Sequence, residues 1–372
     1  MDVTDRWNSN VLLRNEEIDE LWRDHFTKDS KVLFLLGKGF DPRMNSGITK
    51  FLNNRNASKL ECLMVEFEEA IGSSSKAYES MVEENFSALK ALIPSSEMVV
   101  KKIKIWSEEN KRRIGDRMAA DLFSDENSIN CYTDIILDIS ALPRGIYFSL
   151  LAKLIILIDS GDPKINLFVV TTENAKLDYK ITEEAIEQDL NYQYGFASNL
   201  ESDIQLPILW LPLLGENKNE QFVKANDHIS PNEVCPVLPF PAKNPRRSDD
   251  ILINHREILF DGLHIVPQNI LYASEQNPFE VYSKIMATFD RYETSFKILG
   301  GCRAVISSFS SKLISIGALL AAYELLYIRK KRVNILNVDS LGYTIDDVAE
   351  AKNLRAESEV FVTWLTGKPY QD

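Results

Sequence analysis

Three stretches of the sequence place ligand-binding chemistry directly after an apolar run. In "KVLFLLGKGFDPRM" (31–44), Gly37 and Gly39 would let backbone amides approach a ligand, with Lys38 between them. Asp41 is suited to orient a ribose or cap a helix, and the forked Arg43 to hold a carboxylate or phosphate. The third glycine of a dinucleotide fingerprint is replaced by Pro42, so a tight turn with solvated charges is the competing reading. Glu66, Glu68 and Glu69 follow near the spacing at which an acidic side chain grips ribose hydroxyls.

The second stretch, "DIILDISALPRG" (134–145), carries Asp138 to the end of an apolar strand, with Ser140 as a helix cap and Arg144 opening the helix. A buried aspartate needs a partner, and Arg144 or Arg43 is expected to supply it, as a ligand-binding or a structural pair. The third, "RAVISSFSSKLIS" (303–315), ends a strand in Ser308, Ser310 and Ser311 and starts a helix at Lys312, either an anion cradle or a serine-rich cap. Lys243, Arg246 and Arg247 crowd a proline-rich loop and read as contacts for an acidic ligand or, more cheaply, as solvated surface charges, and 329–332 ("RKKR") reads as a solvated helix terminus. No P-loop order, Gly-x-Ser-x-Gly elbow or histidine pair at metal spacing occurs, and the sequence names no metal, catalytic residue or cofactor.

Positioning such residues requires strands that end beside helices. Strands are expected at 32–36, 100–106, 134–139, 166–171, 208–213, 269–273, 303–307 and 333–338. Helices are expected at 78–92, 111–122, 145–159, 249–259, 278–294 and 311–328. The run at 59–71 fits either period and is taken as a strand to complete a βαβ unit. Continuous apolar strands suit parallel sheets covered on both faces, giving an α/β class with largely parallel Rossmann-like sheets flanked by helices. The proline-rich segment 232–250 reads as a connecting loop. No internal repeat is evident. A polar, acidic stretch near 178–202 suggests two α/β halves, 1–190 and 191–372.

Composition narrows the function classes. A net charge of -13 on 372 residues disfavours nonspecific nucleic-acid binding. The four cysteines are scattered, as reduced core thiols of a cytoplasmic protein are. The first residues lack a signal-like pattern, and the most apolar helical runs are broken by Lys153 and Glu324, so no membrane association is expected.

Two resemblances bear on these residues. "FLLGKGFD" followed by acidic residues and "LDISALPR" is similar in layout to S-adenosylmethionine-dependent methyltransferases, which implies binding roles for Gly37, Gly39, Glu66 and Asp138. Lys38 sits between the glycines, Leu35 or Leu36 stands where that family has an acidic residue, and its Asp/Asn-Pro-Pro-Tyr motif is absent. The order "DISALPRGIYFSLL", "NLFVVTTEN", "ILWLPLLGE", "NILYASEQN" and "SSFSSKLISIGALLAAYEL" resembles uncharacterised Rossmann-like proteins of bacterial antiviral defence loci. That resemblance implies a nucleotide-scale ligand or a protein partner within a multi-component system, and the partners expected are a nucleotide or other anionic small molecule and a protein partner or homo-oligomer. The expected function is a ligand-binding sensor or adaptor, with a methyltransferase-like enzyme and a structural subunit as alternatives. It also requires Gly39, Asp138 and Ser310 to line a shared or paired hollow.

Overall fold

Strand and helix assignments come from a computed structural model that describes residues 5–56, 58–68, 73–107, 112–186, 190–197 and 206–371. The chain divides into a first unit, Ser9–Ala185 with Ser340–Asp372, and a second, Met1–Asn8 with Ile186–Asp339. Both are α/β.

The first unit runs β1 (Val11–Arg14), α1 (Glu16–His25), β2 (Lys31–Lys38), α2 (Ser46–Asn54), β3 (Lys59–Glu68), α3 (Glu79–Leu92) and β4 (Met98–Lys104). It continues through α4 (Gly115–Ala120), β5 (Asp134–Asp138), α5 (Arg144–Ser160), β6 (Asn166–Glu173), α6 (Ala175–Lys180) and β7 (Ile181–Ile186). After the second unit it resumes with β15 (Ser340–Ile345), α11 (Val348–Leu354) and β16 (Glu359–Thr366). Its main sheet has the order β1-β16-β6-β5-β2-β3-β4, with β7 and β15 as a separate pair. Strands β2 to β6 are mutually parallel, and the apolar side chains of β2 and β5 are buried on both faces as the uninterrupted runs required. The ambiguous run at 59–71 is strand through Glu68; Glu69 to Ile71 lie outside the described residues.

The second unit contains β8 (Asn191–Tyr192), β9 (Ile208–Leu213), α7 (Asn219–Ile229), β10 (Glu233–Val234), β11 (Val237–Pro239) and α8 (Arg247–Asn254). It ends with β12 (Leu271–Ala273), α9 (Pro278–Ser295), β13 (Arg303–Ser308), α10 (Lys312–Tyr323) and β14 (Val333–Asn337). The sheet order is β12-β11-β9-β13-β14-β8, with β10 also on β9. Residues 5–8 belong here because Trp7 is buried edge-on to Tyr282 and Tyr323, with ring centroids 5.5 and 6.0 Å away.

The two cores share one topology. Numbered by their own appearance in the chain, β4-β3-β2-β5-β6 and β12-β11-β9-β13-β14 both read 3-2-1-4-5. The repetition lies in strand order and leaves no repeated motif in the sequence. Each sheet reverses direction of growth beside its first strand, between β2 and β5 in one unit and between β9 and β13 in the other. In open α/β sheets the crevice beyond the carboxyl ends at that reversal is where ligands bind.

Four expectations need correction. The division at 190/191 puts 340–372 in the wrong half, because β16 returns to pair antiparallel with β6 and β1. The proline-rich segment is not only a loop: β11 lies between β9 and β12 in the sheet. Its prolines serve there as acceptors, the Pro236 carbonyl taking Leu271 N at 2.8 Å and the Pro239 carbonyl taking Ser248 Oγ at 2.6 Å, so their missing donors cost nothing. The expected helix over 111–122 is shorter, Gly115–Ala120, and Lys111 lies outside the described residues. Arg329 is no solvated terminus, since its side chain pairs with Asp5, Asp290 and the fully buried Glu324. Among the described residues no helix is long and apolar enough to cross a membrane.

Candidate functional site

In the first unit the carboxyl ends of β2 and β5 deliver two loops to the reversal point. One contains Gly37, Lys38, Gly39, Asp41 and Arg43; the other contains Asp138, Ser140 and Arg144. The sequence-expected residues of two stretches therefore converge, and their contacts assign most of them a partner within the protein.

The glycines permit the loops to pack on each other. A Cβ at Gly37 would lie 2.7 Å from Leu142 Cδ2 and 3.0 Å from the Ala141 carbonyl, and one at Gly39 would lie 3.3 Å from that carbonyl. The close approach expected for a ligand is made, at these atoms, by the β5–α5 loop. Asn85 of α3 ties down the other side, donating through Nδ2 to the Gly39 and Asp41 carbonyls at 3.0 Å each.

Arg43 is buried and its fork is occupied. Nε and Nη2 grip Asp41 at 2.9 and 2.7 Å, while Nη1 reaches Asp178 of α6 at 2.7 Å. Burial opposes the cation, but the Asp41 and Asp178 carboxylates outweigh it and hold the guanidinium well above its ordinary value. Exposure is uneven around the cluster: 6% for the Arg43 side chain, 13% for Asp41 and 44% for Asp178.

Lys38 and Glu66 stand opposite each other across β2 and β3, and Lys102 continues the row on β4. Lys38 Nζ lies 3.1 Å from Glu66 Oε1 and 2.8 Å from Glu83 Oε1, and Lys102 Nζ lies 3.1 Å from Glu66 Oε2. Burial raises the Glu66 carboxyl, yet the two lysines bring it below its ordinary range. The expected ribose holder is thus engaged in a cross-strand ladder.

Asp138 is 1% exposed, and its Oδ1 accepts from Ser140 N at 2.9 Å. The first turn of α2 sits on its other oxygen: a Cβ at Gly47 would come within 2.2 Å of Oδ2. A carboxylate at the positive end of a helix is stabilised by the macrodipole. Arg43, one of the two expected partners, spends its donors elsewhere. Ser140 does not cap α5, whose cap position is Pro143; its hydroxyl instead donates to Thr172 Oγ1 at 3.1 Å and accepts from Thr172 N at 3.0 Å. Arg144 is half-buried in the first turn of α5.

Asn45, Gly47, Asn85 and Asp178 escaped the sequence reading. Asn45 is the cap residue of α2, 2% exposed, donating through Nδ2 to the Asn85 carbonyl at 2.8 Å; its Oδ1 is buried with no hydrogen-bond partner. An asparagine before a serine and glycine was a readable cap signal; the role of Asp178 had no local signal.

The third stretch belongs to the second unit, so Ser310 stands at the reversal of a different sheet from Gly39 and Asp138. Ser308 Oγ lies 2.6 Å from Ser315 Oγ, which donates to the Ser311 carbonyl at 2.7 Å. Ser310 is buried, while Ser311 is the cap residue before Lys312 and makes no side-chain cap bond. The β9–α7 turn presses against this loop, since a Cβ at Gly215 would lie 2.3 Å from the Phe309 carbonyl. Beside it Arg247, expected on the surface, grips Glu216 through Nε and Nη2 at 2.6 and 2.9 Å and Glu275 through Nη1. Burial raises Glu216, but Arg247 draws its carboxyl below the ordinary value of 4.5. Burial also lowers His255 from 6.5, against the opposing pull of the Ile251 carbonyl and Glu216. His255 is fully buried and its Nε2 has no hydrogen-bond partner.

No known protein family matches the sequence. No curated protein matches it. Among solved structures the chain is similar to a universal stress protein from Pseudomonas aeruginosa UCBPP-PA14 at 10% identity, covering 88% of this chain and 99% of that one, with a TM-score of 0.24. A universal stress protein from Archaeoglobus fulgidus DSM 4304 is also 10% identical, over 83% and 96% of the two chains, with a TM-score of 0.24. A phosphoethanolamine N-methyltransferase from Haemonchus contortus is 9% identical over 94% and 91%, with a TM-score of 0.22.

Proposed function

We propose that the protein is a ligand-binding sensor or adaptor that takes a nucleotide-sized anion at the β2/β5 reversal of the first unit. One observation carries this reading: two loops from adjacent strands, bearing Lys38, Arg43 and Arg144, meet beyond the carboxyl ends where the strand order turns. Arg144 and the N-terminus of α5 suit a phosphate, while Lys38 and Arg43 would have to exchange for it one of the carboxylates that hold them. The loops 37–45 and 138–144 contain no histidine or cysteine, and their carboxylates Asp41 and Asp138 each accept a hydrogen bond within the loop, from Arg43 N and Ser140 N. The methyltransferase reading is weaker, because Ala141 and Leu142 pack on the Gly37–Gly39 turn and Glu66 is paired with lysines. The same packing favours a second reading, in which these loops serve only to join the elements of a structural subunit.

Membership of a multi-protein defence system, implied by the sequence resemblance, is part of the proposal and predicts stable co-purification with a protein encoded beside it. Calorimetric titration with ATP, AMP and S-adenosylmethionine tests the site. Selective micromolar binding of a nucleotide, weakened about 10-fold or more by Arg144→Ala, is expected for the loss of one charge-assisted contact. Binding of S-adenosylmethionine alone would transfer the case to the enzyme reading, and binding of none of the three would leave the structural subunit.

A further inference from the structure

The contacts of Arg43 divide into two kinds. Asp41, two residues away on the same loop, takes Nε and Nη2 in the bidentate geometry that fixes a guanidinium plane. Nη1 is held by a carboxylate from elsewhere in the unit, Asp178 on the six-residue α6, through one hydrogen bond of 2.7 Å. Asp178 is also much the more exposed of the two acids, at 44% against 13%. Solvent therefore reaches the cluster from the Asp178 side.

Helix α6 belongs to a small layer with its own core. Leu177 of α6, Met81 of α3, Ile345 of β15 and Ala351 and Leu354 of α11 form a cluster separate from the main one, and Phe40 of the glycine loop packs against it. Asn174 caps α6 and donates to the Leu354 carbonyl at 2.8 Å, while Lys180 pairs with Glu350 at 2.8 Å. Exposed pairs of this kind add little stability, and a cluster this small is a natural low-stability element of a domain.

Resting on the ligand-binding reading above, we propose that Asp178 stands in for the anionic group of the ligand: a phosphate-bearing molecule displaces it from Nη1 of Arg43 and so releases α6 from the glycine loop. Asp41 keeps the guanidinium oriented throughout, so the arginine is prepared for a phosphate oxygen without reorganisation. Binding is thereby coupled to the position of α6, and the protein reports an occupied site through the layer formed by α6, β15 and α11. Since the acid competes with the ligand for one arm, its removal must tighten binding.

Inorganic pyrophosphate serves as the probe, titrated calorimetrically into the full chain as wild type, Asp178→Ala and Glu350→Gln. Asp178→Ala is expected to bind about 5-fold or more tightly than wild type, the equivalent of removing one weak competing pair. Glu350→Gln, which removes an acid paired with α6 without touching Arg43, is expected to match wild type. Hydrogen exchange of the α6 amides in the wild type should accelerate when pyrophosphate is added. Equal affinity of wild type and Asp178→Ala overturns the displacement while leaving the site in place. An equal gain in Glu350→Gln also overturns it, by showing that loss of any acid beside α6 suffices. Failure of every variant to bind pyrophosphate overturns it too; the nucleotide titrations then decide separately whether the site itself survives.

Discussion

Arg43 and Arg247 make a natural pair for comparison. Each stands at the carboxyl end of a sheet of the same strand order, grips one acid with Nε and Nη2, and reaches a second with Nη1. The residues arrive by different routes: Arg43 from the loop after the first strand of its core, Arg247 from the helix after the second. Exposure is distributed in opposite ways. In the first unit the exposed acid, Asp178 at 44%, is held by one arm; in the second the more exposed acid, Glu216 at 34%, is held by two, and Glu275 at 11% by one. On the displacement proposed above, the first cluster has an arm that a ligand can take over, whereas in the second the more exposed acid is the one held by two arms. A shared topology brings an arginine and two acids to each sheet end, and the order of exposure differs between the two.

The sharpest way to break this comparison is to remove the arginines. Arg43→Met leaves Asp41, 13% exposed, and Arg247→Met leaves Glu275, 11% exposed, without a cation, and each should cost about 3–5 kcal/mol in urea denaturation. A cost below about 1 kcal/mol at Arg43 would show that its acids relax into water and that the cluster has no structural share. Smaller effects come from the close approaches. Gly47→Ala and Gly215→Ala force a Cβ to within 2.2 Å of Asp138 Oδ2 and 2.3 Å of the Phe309 carbonyl, and should each cost about 1–3 kcal/mol. Gly39→Ala, at 3.3 Å, should cost less than about 1 kcal/mol. If Gly39→Ala proves the most damaging of the three, the loop contact at Ala141 has been misjudged.

Acid sharpens the contrast further. His255 and Glu216 have folded-state values below their unfolded ones, so the unfolded chain takes up more protons as the pH falls. Stability should then decline below pH 6.5 through His255 and again below 4.5 through Glu216, by at most about 1.4 kcal/mol per pH unit for each group. Urea midpoints measured from pH 7 to 5.5 should fall less in His255→Asn than in the wild type. Parallel curves would remove His255 from the account. The smallest effect belongs to the ladder on the first sheet: Lys102, 79% exposed, should change stability by less than about 1 kcal/mol when replaced by alanine.

Legibility followed the range of the signal. The parallel cores were readable because β2, β5, β6, β9, β13 and β14 are short apolar runs followed by polar turns. The convergence of the glycine loop with "DISALPR" was readable from the rule that ligands sit at strand ends, although the contacts turned Gly37 toward Leu142 and Glu66 toward two lysines. Strand β16 was missed although Val360–Trp364 is a run of β-branched and aromatic residues; its partners β6 and β1, and with them the true division of the chain, are fixed by pairing across most of the sequence. The proline-rich strand β11 was misread because a propensity argument counts missing donors, whereas its prolines serve as acceptors and Cys235 and Phe240 donate to the Trp210 and Ala273 carbonyls of the neighbouring strands.

Taken alone, the sequence determined the class of fold and the loops in which charge collects, since alternation of apolar runs with turns is a local property of the chain. Tertiary structure alone decided that 340–372 returns to the first unit, that Arg43 is shared by Asp41 and Asp178, and that Arg247 is half-buried between Glu216 and Glu275. Those outcomes depend on which distant groups meet and how deeply they are covered. Ion pairing and burial are pairwise and collective quantities, and no single stretch of residues carries them.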